Sequence, residues 1–265
     1  MSKLSACIIA LNEEDKIGPA LKSVEWADEI IVADSYSTDR TAIIAQEHGA
    51  RVIQIRFTGF GDLRNRAMEA CSHDWILSLD ADERCTPDAR REIEQIISGN
   101  AAIADAFYIP RKNFFMGKWI RYAGFYPDYR HPQLSRKGMI TFLPDAVHAG
   151  FDVHSDKPVG YLKSHITQIP YKNLEEILNK ANRYSSLGAE KLEEKQIKCR
   201  MYKALTHGIW SFFTTYFFKL GCLDGWPGLI IALGNFEGTF YKYAKGYLKQ
   251  KGLESFFEHS PVQDE

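Results

Sequence analysis

The sequence predicts a mixed α/β domain on a largely parallel sheet, followed by a helical extension. Short apolar runs alternate with segments of helical periodicity through the first hundred residues, which is typical of parallel sheets with helices on both faces. Helical periodicity dominates again from about residue 173. The chain has 265 residues, 45% of them hydrophobic and 25% charged, so its length and composition suit one large folded domain with appendages.

The first hundred residues predict four strands that alternate with helices. Strands are expected at Leu4–Ala10, Glu29–Ala33, Arg51–Ile55 and Trp75–Leu79. Helices are expected at Lys16–Val24, Thr41–His48, near Leu63–Ala70 and from Pro87 to about Ile97. Ligands of such sheets lie beyond the carboxyl ends of the strands, so polar residues there are the first candidates for a site.

The remaining chain divides into two further regions. Residues 105–170 are rich in aromatics, Pro, Gly and His and carry strand-like pieces, which predicts mixed β structure and loops. Helices are expected at Asn173–Glu194, about Arg200–Lys219 and Leu229–Leu248. We therefore expect an α/β domain over residues 1–170, a helical extension over 171–258 and a flexible tail over 259–265.

Charge and cysteine content indicate the cellular setting. The net charge of −1 and pI near 6.7 give no basic footprint for nucleic acid. Five cysteines, an odd number with no C-x-x-C pair, predict reduced thiols in the cytoplasm. The apolar run from Leu4 to Leu11 is short and strand-like, and does not predict a signal peptide.

Asp80-x-Asp82 is the strongest candidate for a metal site. Both carboxylates follow the predicted strand Trp75–Leu79. Mg²⁺ and Mn²⁺ take oxygen ligands and commonly bridge one or two carboxylates to phosphates. The pair therefore predicts a divalent cation, Mg²⁺ or Mn²⁺, beside a nucleotide diphosphate. The alternative is a solvated acidic turn in which Asp82 caps the next helix.

Three further polar clusters predict contacts to a nucleotide. Asp34, Ser37 and Asp39 follow the second strand and suit base and ribose contacts, although Ser37 or Thr38 would also serve as a helix cap. Asn12 and Glu13 follow the first strand, where an ordinary helix start is the alternative. Arg64, near a helix N-terminus, suits an anionic ligand, and a plain surface charge is the alternative.

Together these motifs closely resemble those of family-2 glycosyltransferases with the GT-A fold. They are Asn12-Glu13, Asp34-Ser-x-Ser-Thr-Asp39, Leu63-Arg-Asn65-x-Ala67 and Leu79-Asp-Ala-Asp-Glu83. The later motifs resemble the WaaE/KdtX type of lipopolysaccharide-core glucosyltransferases: Gly124-Phe-Tyr-Pro-Asp128, Val147-His148, the stretch from His165 through Tyr171 to Lys180, Tyr184-Ser185 and Leu223-Asp-Gly225. The resemblance covers roughly residues 3–248.

The resemblance implies an inverting transfer from a UDP-sugar, usually UDP-glucose, with a divalent metal and a lipopolysaccharide inner-core heptose as acceptor. Residues 1–100 would form the nucleotide-sugar half and residues 101–170 the acceptor half. Asp34 and Asp39 would contact uridine, Arg64 the nucleotide, and Asp80 and Asp82 the ribose-phosphate and the metal. The same chemistry with another sugar or glycan acceptor, a non-catalytic nucleotide-sugar-binding protein and a scaffold remain as alternatives.

The sequence departs from the family pattern at three positions. Tyr36 and Arg40 stand where the family usually has glycines, which predicts a stiffer loop. Ala149 follows Val147-His148 where the family commonly has Glu. One carboxylate is therefore missing from the acceptor side, which leaves the acceptor open.

Asp128 is our candidate for the general base, and Asp145 is the second candidate. An inverting transfer needs a carboxylate within hydrogen-bond reach of the acceptor hydroxyl. Loop capping is the alternative for both. His148, His154 and His165 lie in the same half, and a structural role is favoured over metal ligation for each.

An aromatic block near the C-terminus predicts docking on the cytoplasmic face of the inner membrane. It comprises Trp210, Phe212, Phe213, Tyr216, Phe217 and Phe218, with Lys203 and Lys219 at its flanks. The apolar runs are shorter than the about 20 residues that span a bilayer, whereas aromatics with lysines suit a helix lying in the headgroup region. The alternative is that the block packs against the helix Asn173–Glu194.

Overall fold

The computed structural model describes residues 2–99, 103–143 and 150–253 and divides the chain into two compact units. The first unit comprises Met1–Phe114 and Tyr126–Pro170, and the second comprises Phe115–Phe125 and Tyr171–Glu265. The predicted tail, residues 259–265, lies outside the described residues.

The elements follow one another in the predicted alternation. In chain order they are β1 (Leu4–Ala10), α1 (Glu14–Lys22), β2 (Glu29–Asp34), α2 (Thr41–Glu47), β3 (Arg51–Gln54), α3 (Phe60–Glu69), β4 (Trp75–Asp80), β5 (Glu83–Cys85), α4 (Pro87–Ser98), β6 (Ala106–Tyr108), β7 (Arg111–Phe115), β8 (Lys118–Ile120), β9 (Leu134–Arg136), β10 (Ile140–Phe142), β11 (Phe151–Val153), β12 (Gly160–Tyr161), β13 (Ile166–Gln168), α5 (Leu174–Glu194), α6 (Met201–Phe213) and α7 (Trp226–Gln250).

Among the described residues, the first unit is built on a seven-stranded sheet in the order β12-β6-β9-β4-β1-β2-β3. β1 pairs in parallel with β2 and β4, and β2 pairs in parallel with β3. The apolar side chains of β1 enter two separate core clusters, Ile8 in one and Cys7 in the other. Burial on both faces is what a parallel sheet between helices requires, and the predicted fold class is confirmed.

The strand register brings the polar clusters to one edge. Ala10 at the end of β1 is paired with Asp34, and Ile9 is paired with Asp80. The turns that carry Asn12, Ser37 and Asp82 therefore leave neighbouring strands at the same edge of the sheet.

The segment after β4 differs from the alternative in which Asp82 caps a helix. Asp82 precedes the short strand β5, which pairs antiparallel with β13, and β13 pairs in parallel with β7. The cap of α4 is Thr86, whose Oγ1 accepts a hydrogen bond from the backbone N–H of Ala89 at 3.2 Å. The cap assignment for Asp82 is therefore wrong, because β5 separates Asp82 from α4.

The second unit is helical from Leu174, as predicted for the C-terminal extension, and it also contains β8, which lies in the predicted acceptor half. The Asn173 side chain caps α5 by accepting from the Glu176 N–H at 2.9 Å. α6 passes into a π-helical turn at Thr214–Phe218, so the predicted helix to Lys219 changes its hydrogen bonding there. α6 packs on α7 through Gly208, where an added Cβ would lie 3.1 Å from the Phe236 ring. Within the described residues, no helix is both long and apolar enough to cross a membrane.

Candidate functional site

The turns after β1 and β2 are locked together by hydrogen bonds. The N–H of Asn12 donates to Ser37 Oγ at 2.8 Å, and the N–H of Thr38 donates to Asn12 Oδ1 at 2.8 Å. The N–H of Glu13 donates to Thr41 Oγ1 at 2.8 Å. The predicted nucleoside-binding residues of these two turns thus form one preorganised surface.

Asp34 and Asp39 hold these turns in different ways. Asp34 is fully buried, and its carboxylate accepts both the N–H and the hydroxyl of Ser37. Asp39 accepts the N–H groups of Thr41 at 2.9 Å and Glu14 at 3.1 Å. Burial opposes the ionisation of Asp39, but hydrogen bonds led by those of Thr41 outweigh it and lower its pKa. Asp39, and not Ser37 or Thr38, satisfies the first N–H of α2.

Tyr36 occupies a backbone position that favours glycine. Its φ is +59°, in the left-handed region, and its side chain is 61% exposed. Arg40, at the other position where the family has glycine, has φ −81° and needs no glycine. The structure therefore gives a physical reason for one of the two family glycines.

The buried Arg64 forms an ion pair with Asp80, which is half-buried at the edge of the sheet. The Arg64 guanidinium contacts Asp80 Oδ1 and donates to Ser78 Oγ at 3.3 Å. Burial opposes the ionisation of Asp80, but the positive charge of Arg64 and weaker neighbours lower its pKa. Arg64 is thus a buried charge, and the reading of it as a plain surface residue is excluded by its burial.

Asp82 and Gln168 meet beside this pair. Gln168 Nε2 lies 3.1 Å and 3.2 Å from the two carboxylate oxygens of Asp82, and the amide is buried. Asp80 and Asp82 supply the hard oxygen donors that Mg²⁺ and Mn²⁺ prefer. Over residues 2–99, 103–143 and 150–253, no group of three or more His, Cys, Asp or Glu side chains forms a complete metal site. The two carboxylates fit a cation that takes its other ligands from a diphosphate.

A chain of charges connects this edge to Asp128. Glu83 Oε2 accepts the N–H of Asp80 at 2.9 Å, and Glu83 Oε1 lies 2.5 Å from Arg111 Nε. Arg111 Nη1 lies 3.4 Å from Asp128 Oδ2, and Arg130 Nη2 lies 2.9 Å from the same oxygen. Burial raises the pKa of Glu83 to about 7 against the opposing charge of Arg111. Glu83 and Arg111 are fully buried, so they fix the backbone of Asp80 and the carboxylate of Asp128 in one framework.

The remaining predicted residues lie apart from this framework or outside the described residues. Asp145, Val147, His148 and Ala149 fall within residues 144–149, which the structure does not describe. His154 is exposed, and its Nε2 lies 2.9 Å from Thr141 Oγ1. The backbone carbonyl of His165 accepts from Thr86 Oγ1 at 2.6 Å.

A family model and several relatives match this chain. Residues 5–157 match the model described as Glycosyl transferase family 2. The chain belongs to this family. The GT-A fold and the family-2 resemblance predicted from the motifs are confirmed.

Relatives of this glycosyltransferase span nearly its whole length. A lipopolysaccharide core biosynthesis glycosyltransferase, LpsC of Rhizobium meliloti, is 30% identical over 254 residues, covering 92% of each chain. An uncharacterized glycosyltransferase of Rickettsia felis is 30% identical over 263 residues, covering 96% of this chain and 92% of the relative. Glycosyl transfer is therefore the activity of the family to which the chain belongs.

Solved structures align with only part of the glycosyltransferase. Glucosyl-3-phosphoglycerate synthase from Mycobacterium tuberculosis, in complex with Mn²⁺, UDP and glucosyl-3-phosphoglycerate, is 28% identical over 44% of this chain and 45% of that chain, with a TM-score of 0.34. Similarity of that extent does not assign a donor, an acceptor or a metal.

The motifs did not identify three residues of the site. Arg111 and Asn113 lie on β7 and Gln168 on β13, short strands inside a region predicted to be mixed β structure and loops. Asn113 belongs to the site because its Nδ2 lies 3.4 Å from Asp128 Oδ2. The only sequence signal for the first two is their i, i+2 spacing, which puts polar side chains on one face of a strand. Gln168 gives no signal of its own, since its role depends on pairing between β13 and β5.

Proposed function

We propose that the chain transfers glucose from UDP-glucose to an inner-core heptose of lipopolysaccharide, with inversion at the anomeric carbon. The observation that carries the proposal is the pair Asp80 and Asp82 at the edge of the sheet where the turns after β1 and β2 also lie. The name of the relative LpsC supports a lipopolysaccharide-core acceptor. Another sugar or glycan acceptor is the alternative within the same chemistry.

The donor nucleoside is assigned to the joined turns. Hydrogen bonds of 2.8 to 3.1 Å join the turn after β1, which carries Asn12 and Glu13, to the turn after β2, which carries Ser37 and Asp39. A base or ribose would therefore meet a surface that is already ordered. Asp34 is buried behind Ser37 and reaches a ligand directly only when Ser37 moves. Order in advance of binding reduces the entropy lost on binding.

We assign binding of the diphosphate to Asp80, Asp82 and Arg64. Mg²⁺ or Mn²⁺ held by the two carboxylates would stabilise negative charge on the departing diphosphate. Asp82, the second carboxylate after β4, is our candidate for the main protein ligand, with Asp80 held by Arg64. The buried guanidinium adds positive potential from within the protein and needs no reorganisation during transfer.

We assign to Asp128 the role of the general base, which takes the proton of the acceptor hydroxyl. As the acceptor oxygen bonds to the anomeric carbon, the bond from that carbon to the diphosphate breaks and the hydroxyl proton passes to the carboxylate. Arg130 is 52% exposed, whereas Arg111 is fully buried and holds the carboxylate in place. Asp145 stays as the second candidate.

We assign binding to the cytoplasmic face of the inner membrane to the second unit. We call Trp210, Phe213, Phe217 and Phe218 the aromatic surface, since all four side chains are exposed, Trp210 at 63% and Phe218 at 69%. The segment Lys195–Leu223 contains Lys and Arg but no Asp or Glu. An exposed aromatic surface with only positive charges along it fits a membrane rich in anionic lipid.

The test combines donor binding and turnover. A thermal-shift panel of UDP-, GDP- and dTDP-sugars, each with and without Mn²⁺, should show stabilisation by UDP-glucose that requires the metal. Asp82→Asn should lower transfer at least ~10²-fold, the size of losing one stabiliser of transition-state charge. Asp88→Asn, at an exposed position in the first turn of α4, is the matched control and should be fully active.

Each alternative gives its own result. Full transfer by Asp82→Asn, or by the wild type in excess EDTA, would remove the metal from the proposal. Selective stabilisation by a GDP- or dTDP-sugar would change the donor. Binding of UDP-glucose without turnover on any acceptor would favour a non-catalytic nucleotide-sugar-binding protein.

A further inference from the structure

The second unit contains a cavity that the proposed transfer does not use. It lies between α5 and α7, has a volume of about 340 Å³ and is also lined by Phe115 and Tyr171. Its size is within the roughly 300–1,000 Å³ of small-molecule sites. Ile177, Ile230 and Ile231 make its walls largely apolar.

Two glycines open this cavity on α7. Gly234 and Gly238 are one turn apart, both line the cavity, and a Cβ added at either would have no atom within 4 Å. Glycine in a helix interior costs about 1 kcal/mol relative to alanine. At Gly246 of the same helix, by contrast, an added Cβ would lie 2.8 Å from Cys199 Sγ. Packing within the second unit explains Gly246 but not Gly234 or Gly238.

One cation stands at the cavity. The Lys180 ammonium lies 4.9 Å from the centre of the Tyr171 ring. None of the residues lining the cavity is acidic. Within the described part of the chain, no ion pair joins Lys180 to a carboxylate. The cavity therefore combines a largely apolar interior with the positive charge of Lys180, which complements an amphiphile with an anionic head.

We propose that this cavity binds one hydrocarbon chain of a phosphate-bearing lipid, with the phosphate at Lys180. The phenylalanine and isoleucine side chains that line the cavity gain by excluding water from a hydrocarbon chain. A lysine ammonium is a common phosphate ligand. Asn235 links the cavity to the turn that carries Phe217 and Phe218, because it lines the cavity and donates to Thr215 Oγ1 in that turn at 3.0 Å.

The test uses lauroyl-lysophosphatidic acid below its critical micelle concentration, with calorimetric titration and no donor sugar. We expect one molecule bound per full-length chain. Gly234→Leu and Gly238→Leu fill the cavity and should weaken binding at least about 10-fold, because several buried methylenes lose their site. Gly234→Ala with Gly238→Ala should raise the melting temperature, which checks that changes at these positions are compatible with folding.

Two comparisons separate the contribution of the hydrocarbon chain to binding from that of the phosphate head. Lys180→Gln should weaken lysophosphatidic acid roughly 10-fold, the scale of one charge-assisted contact, and leave the neutral monolaurin unchanged. Lys251→Gln, an exposed lysine beyond α7, is the matched control and should bind as the wild type does. Glycerol 3-phosphate, the head without a chain, should show no dependence on either glycine.

Three results would overturn the proposal. They are absence of lysophosphatidic acid binding to the wild type, equal binding by the filled variants, and binding of glycerol 3-phosphate as tight as that of the lipid. Because no donor or acceptor is present, these results are independent of whether the chain transfers glucose.

Discussion

At the scale of single residues, Glu29 shows how one carboxylate joins separate strands. It begins β2 and accepts from Ser5 Oγ at 2.5 Å, from the N–H of Ser72 at 2.7 Å and from Arg51 Nη2 at 3.2 Å. Burial opposes its ionisation, but the bonds from Ser5 and Ser72 outweigh it and lower the pKa of Glu29 to about 2. β1, β2, β3 and the turn before β4 thus depend on its charge.

Glu29→Gln should therefore destabilise the protein in a pH-dependent way. A carboxyl with a lowered pKa stabilises the fold fully above its unfolded pKa of about 4.5 and loses that contribution as the pH falls through about 2. We expect a loss on the order of 2 kcal/mol at pH 7, shrinking below pH 4.5, in urea unfolding. Glu69→Gln, an exposed carboxylate on α3, is the control. An equal loss at pH 7 and pH 3 would contradict this account.

Asp128 makes a second prediction at this scale. Asp128→Asn should keep the affinity for UDP-glucose and lose turnover, because the amide cannot accept the proton of the acceptor. Equilibrium binding of the donor and single-turnover transfer would measure the two effects separately. Arg130→Gln is a second variant that removes the ion pair of Arg130 with Asp128 and keeps the carboxylate. It should therefore retain turnover. Equal loss of affinity and turnover in Asp128→Asn would place the residue in donor binding or folding.

The residue scale is also where the sequence predicted least. Asp80 and Asp82 were found because their position depends only on the strand before them. The partners that fix them, Arg111 and Gln168, are 31 and 88 residues beyond Asp80 in the sequence. Their roles follow from the pairing of β13 with β5 and β7. Strand pairing between distant short segments has no local signal, so these contacts required the structure.

At the scale of elements, periodicity predicted the first four strands and their helices to within a few residues. β1 was predicted at its observed bounds because its seven apolar or small residues are all buried, whereas β5 was missed because three residues give no period. The π-helical turn after α6 was missed too, since its sequence continues the helical pattern. The hydrophobic pattern of a sequence shows which residues of a segment are buried. It does not show a change of backbone hydrogen bonding within the segment.

Asp224 is the buried residue that organises short segments of the second unit. Its carboxylate accepts the N–H groups of Arg121 at 3.1 Å and Tyr122 at 3.0 Å, and its carbonyl accepts Lys118 Nζ at 2.8 Å. It belongs to the motif Leu223-Asp-Gly225, which resembled the family without an assigned role. The contacts show that it positions the chain after β8.

Asp224→Asn should lower the free energy of unfolding by about 2 kcal/mol, because one charge-assisted bond is lost and a backbone N–H is left without its acceptor. Asp224→Ala should cost more, since both acceptor oxygens disappear. Urea unfolding followed by far-UV circular dichroism measures both, with the exposed Asp156→Asn as the control. If Asp224→Asn matches the control, the residue does not position this segment.

At the scale of the whole molecule, α6 of the second unit presents its large aromatic side chains outward. α6 buries its small residues, Ala204 and Gly208, and exposes Trp210 and Phe213. A helix of a soluble domain normally has the reverse arrangement. Packing against α5, the alternative interpretation of the aromatic block, does not account for these exposed rings. The arrangement instead suits a partner with an apolar interior and a negatively charged surface.

The membrane proposal is tested by co-sedimentation with vesicles. Wild-type protein should pellet with vesicles that contain anionic lipid, and less of it should pellet as salt rises, because salt screens the attraction of the lysines. The paired change Trp210→Ser and Phe213→Ser should release the protein from vesicles and leave UDP-glucose binding intact. Ile43→Ser with Ile103→Ser removes two exposed apolar side chains from the first unit and is the matched control. A wild type that stays in the supernatant at low salt, or a paired variant that unfolds, would show that the aromatic surface serves the protein's own fold.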